Sequence, residues 1–108
     1  GLKYTFAHAS NSSAAFFDVT SRGGAIIITL NTSHPAYEHL IEVLEDDFDE
    51  ADLEALKLRL IRARDGLKLV LTAWARYEDE QQDKQRSRIQ DSRWDWGRMA
   101  RDFLDGEE

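Results

Sequence analysis

The rhythm of apolar and polar positions changes several times along the chain. KYTFA at 3–7 alternates weakly, as a short edge strand would, and the small polar run that follows, from His8 to Ser13, reads as a loop. AFFDVT at 15–20 and AIIITLN at 25–31 are β-branched and aromatic runs on either side of Ser21-Arg22-Gly23-Gly24. That is the pattern of a β-hairpin, with glycine supplying the positive φ of a tight turn. At 35–45 the period lengthens. Tyr37, Leu40, Ile41 and Leu44 stand three and four apart, which predicts one face of a helix.

The longest signal comes next. Leu53, Leu60, Leu67 and Trp74 stand seven apart, and Leu56, Ala63, Val70 and Tyr77 repeat the interval three residues later. This phase passes through Gly66 without a slip, so one helix is predicted at 49–78, ~45 Å long at 1.5 Å per residue. Gly66 costs it about 1 kcal/mol relative to alanine, and either admits a close neighbour or bends the helix. Leu58, Ile61, Leu69 and Leu71 widen the apolar stripe beyond a coiled-coil seam, so more than one side needs cover. The run 79–88 (DEQQDKQRSR) is wholly polar, a solvated helix extension or a linker. Ile89, Trp96, Met99, Ala100 and Phe103 then recur at helical spacing, predicting a last helix at 88–104 that Asp105-Gly106 ends.

The expected architecture is α+β: an N-terminal antiparallel hairpin, with a short third strand as an option, packed on three helices of which the middle one is long. Residues 15–108 are expected to form one domain, after a leader or edge strand and loop at 1–14. The hairpin meets the first helix through Asn31-Thr32-Ser33-His34-Pro35. Each residue of this hinge has a structural task available. Asn31, Thr32 and Ser33 offer oxygens to the first helical turn, and Pro35 suits a position whose N–H needs no partner. Asp49 is the expected cap of the long helix, with Glu50 and Asp52 in its first turn.

Composition narrows the function classes. A chain of 108 residues, 42% hydrophobic and carrying three Trp, three Tyr and five Phe, has the makings of a folded domain. It holds no cysteine, which excludes disulfides, thiolate metal sites and thiol nucleophiles. No segment reads as a membrane span or a signal peptide, so the cytoplasm is the expected compartment and no membrane is expected as partner. The chain opens Gly1-Leu2 without methionine, as one piece of a longer protein would. The net charge of −7 makes nucleic acid a poor default partner. The charge is also segregated: nine acids and no Lys or Arg at 38–54, then five bases (Lys57, Arg59, Arg62, Arg64, Lys68) and one acid at 57–68. Two solvated helix faces would look like this, and so would surfaces for self-association or docking.

Catalytic and binding patterns are weak. Arg22-Gly23-Gly24 lacks the lysine and spacing of a phosphate loop and reads as a turn. His34, Glu38 and His39 suggest a metal site, but no H-E-x-x-H spacing accompanies them. Ser33 beside His34 suggests a nucleophile and base, yet adjacent side chains aim poorly at one another and no G-x-S-x-G elbow is present. Asp46, Asp47, Asp49 and Glu50 lack the spacing and turn glycine of a calcium loop. Trp94 and Trp96 point about 200° apart on a helix. Trp96 shares the face of Met99 and Phe103, which leaves Trp94 to solvent, to a partner or folded back under the polar run.

Three segments carry a family resemblance: N-T-x-H-P-x-Y at 31–37, L-x-L-T-A-W-A-R at 69–76, and R-W-x-W-G-R-x-x-x-x-F-L at 93–104. Together they resemble the C-terminal region of bacterial ATP-binding proteins of the GHKL superfamily (gyrase, heat-shock chaperone, histidine kinase and MutL types), some of them MORC-like. The resemblance implies an ATP site in an upstream domain. The superfamily's magnesium-binding Asn helix and D-x-G-x-G loop have no counterpart here, so no catalytic residue and no cofactor carries over to this chain. The expectation is a non-catalytic interaction or oligomerisation module. Its interface residues would be Leu53, Leu60, Leu67, Trp74 and Trp94, and its partner a second copy or the upstream ATPase domain. The rivals are a nucleic-acid-contacting module using Arg22, Arg59, Arg62, Arg64 and Lys68, and a small metal-dependent hydrolase built on His34 and Glu38.

Overall fold

The computed structural model describes residues 3–49 and 51–106. The fold is α+β, a mixed three-stranded sheet followed by three helices of which the middle one is long. Strands β1 (Lys3–Ala9), β2 (Phe17–Arg22) and β3 (Ala25–Asn31) lie in the order β1-β3-β2. Helix α1 is a π-helical stretch, Tyr37–Glu42, running into an α-helical turn, Val43–Glu45. Helix α2 spans Leu53–Asp79 and α3 spans Asp83–Leu104. The chain divides into two compact units, Gly1–Val70 and Leu71–Glu108, and the boundary falls within α2.

In the first unit, β2 and β3 form the hairpin, with Arg22 opposite Ala25. Gly23 and Gly24 both adopt positive φ, 55° and 82°, the turn geometry whose twist matches paired strands. The 3–7 run is a full partner rather than a short fringe. β1 pairs with β3 in parallel, from Lys3 opposite Ala25 to Ala9 opposite Asn31. β3 is therefore central, and the loop at 10–16 carries the chain from one edge of the sheet to the other. Side-chain alternation then places Tyr4, Phe6, Phe17, Val19, Ile26 and Ile28 on one face of the sheet.

The buried residues of this unit are Leu30 and Asn31 at the end of β3, Ala36 and Val43 at α1, and Gly66 on α2. The π-helical turns of α1 shift the face expected from a 3.6-residue period. Tyr37, Leu40 and Ile41 are half-buried, while Val43 rather than Leu44 turns inward, because each wider turn takes up more residues. Gly66 gives α1 its seat. A Cβ at Gly66 would lie 2.7 Å from the Cβ of His39 and 3.4 Å from Leu40, so the glycine permits close approach of the two helices.

The start of α2 lies four residues later than its acidic sequence suggested. Asp52 is the residue whose carboxylate accepts from the Ala55 amide at 2.8 Å, the geometry of an N-cap. Asp49 instead donates its own amide to Asp47 in a local turn, and Glu50 lies outside the described residues.

In the second unit, α2 and α3 are joined by a short turn at 80–82, so most of the polar 79–88 run is helical. Arg86 closes the end of α2 by donating to the carbonyls of Asp79 and Gln81, both at 2.9 Å. Ile89 is buried, Arg93 pairs with Glu78 at 3.1 Å, and the Trp74 and Trp96 rings meet at 5.9 Å.

Candidate interaction surfaces and the polar joint

The strand-to-helix joint is held by Asn31, which is 2% exposed. Its Oδ1 accepts from the amides of Asn11 (3.3 Å) and Ser33 (3.0 Å). Its Nδ2 donates to the carbonyls of Ser13 and Ala15, both at 3.1 Å. All four hydrogen-bonding positions of the amide are filled, and the bonds tie the crossover loop to the end of β3. The side-chain cap of the α1 entry is His34, not Asn31, Thr32 or Ser33. His34 Nδ1 accepts from the Ala36 amide at 3.0 Å, and its ring lies 5.4 Å from Phe16. Thr32 contributes its backbone, donating to Ala9, and the Pro35 carbonyl accepts from His39 Nδ1 at 3.1 Å.

The hydroxyls and rings of the joint pair across the chain rather than with sequence neighbours. Ser33 bonds to Ser10, and His8 Nδ1 shares a 2.8 Å hydrogen bond with the Tyr37 hydroxyl. The Ser33 hydroxyl and the His34 Nδ1 are thus engaged with different partners. Glu38 is held by Arg62 on α2. Among the described residues no group of three or more His, Asp or Glu side chains is placed to share a metal ion.

The segregated charges meet each other inside the first unit. Arg62 pairs with Glu38, Lys57 with Glu54 at 3.6 Å, and Arg64 with Asp65 at 3.2 Å. Arg59 donates to the carbonyls of Asp46 and Asp47, and its guanidinium lies 5.2 Å from the centre of the Phe48 ring. Three of the bases proposed for nucleic-acid contact, Arg59, Arg62 and Arg64, therefore already have protein partners.

Apolar surface is left over in both units. On α2, Leu53, Leu60 and Leu67 are 67%, 64% and 52% exposed, and Leu58 and Leu69 are exposed as well. On the sheet, Tyr4, Phe6, Phe17 and Val19 are exposed, a patch that sequence reading missed. Its only signal was the alternation in two separate strands, and register was needed to put the residues on one face. In the second unit Trp74 is half-buried against Trp96, and its Nε1–H is buried without a partner among the described residues. Trp96, Met99 and Phe103 remain exposed along one side of α3. Trp94, on a different side of that helix, is 65% exposed, with the Arg98 guanidinium 5.9 Å from its ring centre.

No helix among the described residues is long and apolar enough to cross a membrane. In comparisons with known proteins, no family model, no curated protein and no solved structure matches the chain.

Proposed function

We propose that this chain is a non-catalytic interaction module that self-associates through the exposed seam of α2. The observation that carries the reading is the exposure of Leu53, Leu60 and Leu67, which share one phase of the heptad pattern. Burying a leucine is worth roughly 1.5–3 kcal/mol. Six such half-exposed side chains, three from each copy, gain roughly 5–10 kcal/mol gross, comparable with the ~4–15 kcal/mol lost on association. The seam alone thus supports a weak dimer, and flanking apolar side chains of α2 decide its strength.

Light scattering across a dilution series tests this. The expected outcome is a mass that falls from dimer to monomer as the chain is diluted through the micromolar range, and a monomer throughout for Leu60→Glu/Leu67→Glu. A wild-type monomer at several hundred micromolar would end the reading.

The module is further proposed to belong to a larger GHKL-type ATP-binding protein, whose upstream ATPase domain is the other available partner. The support is the three sequence segments, which fall at the β3–α1 joint, in α2 and in α3. Coding sequence upstream of Gly1 is then expected to carry the Asn helix and the D-x-G-x-G loop.

A further inference from the structure

We propose that the side of α3 bearing Trp94, Gly97, Arg98 and Arg101 is a docking site for an acidic peptide segment that carries an aromatic residue. It uses none of the α2 leucines, so it stands or falls separately from self-association.

The four residues recur at helical intervals of three and four and so share one side of the helix. Gly97 is the informative one. Glycine is markedly less stable than alanine inside a helix, so its presence there calls for a reason. Gly66 has one in the close approach of His39, and Gly23 and Gly24 have one in their positive φ. Gly97 has neither: an added Cβ would meet nothing within 4 Å, and its φ is not left-handed. What its missing side chain leaves is a bare stretch of helix backbone at the floor of an open hollow of about 260 Å³, lined by Arg93, Trp94, Gly97, Arg98 and Arg101. A partner that sits close to the backbone accounts for the glycine.

The lining states what that partner is. It contains an exposed indole, three guanidinium groups and no carboxylate. Arg93 is engaged by Glu78 and Arg98 by Asp102 at 3.5 Å, whereas Arg101 makes no ion pair or side-chain hydrogen bond among the described residues. An unpaired guanidinium next to an exposed indole suits a carboxylate followed by a flat ring, the one held in a bidentate pair and the other stacked. A related pairing of arginine with an aromatic ring stands in the first unit, where Arg59 covers Phe48 while donating to the backbone carbonyls of Asp46 and Asp47. At about 260 Å³ the hollow falls just below the usual range of small-molecule pockets. The net charge of −7 disfavours a polyanionic nucleic acid over a short acidic segment.

The test is an NMR titration of the ¹⁵N-labelled full chain with the synthetic peptide EDDFDE. The expected result is a shift of the Gly97 amide and the Trp94 indole N–H, with binding that weakens as salt is raised. Arg101→Glu should remove the shifts without changing the melting temperature. Gly97→Ala should raise the melting temperature by about 2–5 °C while weakening peptide binding on the order of tenfold. Absence of shifts at millimolar peptide overturns the proposal, as does a Gly97→Ala variant that melts lower, since the fold itself would then need the glycine. Two other results also overturn it by naming a different occupant. One is a single-stranded oligonucleotide shifting the same signals at lower concentration than the peptide. The other is signals that move with the concentration of the chain alone, which assign the site to a second copy.

Discussion

Asn31 and Gly66 concentrate more of the fold than any leucine does. Asn31 spends its whole hydrogen-bonding capacity on the crossover loop and the turn after β3. Asn31→Ala is expected to cost roughly 2–4 kcal/mol, because it removes four bonds and strands two carbonyls and two amides in a part-buried site. Urea unfolding followed by circular dichroism would measure it. Gly66→Ala gains about 1 kcal/mol of helix propensity but drives a methyl group to within 2.7 Å of the His39 Cβ. That atom is fixed to the backbone and cannot swing aside, so a net loss of roughly 1–3 kcal/mol is expected. The same mutation in a freely exposed helix would stabilise. Sequence marked both residues and named close approach as one of two tasks for Gly66, but it gave Asn31 a helix-capping task instead of the crossover loop. The side-chain bonds of Asn31 to the crossover loop reach back 16 to 20 residues, and no local pattern reports a contact of that range.

Elements whose signals are local matched the fold closely, and their ends did so less well. The hairpin is legible because two glycines at the turn and two apolar runs lie within one short window. α2 is legible because its heptad phase is long. Its start was misplaced because Asp49 and Asp52 are chemically equivalent candidates, and only backbone geometry decides which carboxylate reaches an orphan amide. Asp52→Ala should lower stability by about 1 kcal/mol, whereas Asp49→Ala should stay within about 0.5 kcal/mol of wild type. Thermal melts of the two variants separate these outcomes. β1 shows the opposite limit. A weakly alternating run does not state its partner, and the parallel pairing with β3 joins residues as far apart in sequence as Lys3 and Ala25.

For the molecule as a whole, charge and apolar surface divide the work. Glu38 and Glu54 of the acidic 38–54 run pair with Arg62 and Lys57 of the basic 57–68 run within the first unit, and all four side chains are exposed. Leu53, Leu60 and Leu67 of α2 stay more than half exposed among the described residues. Self-association through the seam is therefore expected to persist, or to strengthen, as sodium chloride is raised from about 50 to 500 mM, where exposed ion pairs are screened. Dissolution of the dimer over that range, seen by light scattering, would mean that charge rather than apolar area holds it together.

Sequence by itself determined the class of the fold, the hairpin and its turn, the length of α2, and the chemistry available at the joint. These follow from side-chain periodicity and turn geometry, which act over a few residues. Tertiary structure decided the central place of β3, the roles of Asn31, His34 and Gly66, and which apolar residues stay uncovered. Those depend on which distant segments meet, and a buried amide or a missing Cβ acquires its energetic value only from the neighbour that arrives. Gly97 belongs with them, since its meaning lies in the absence of any such neighbour within the described chain.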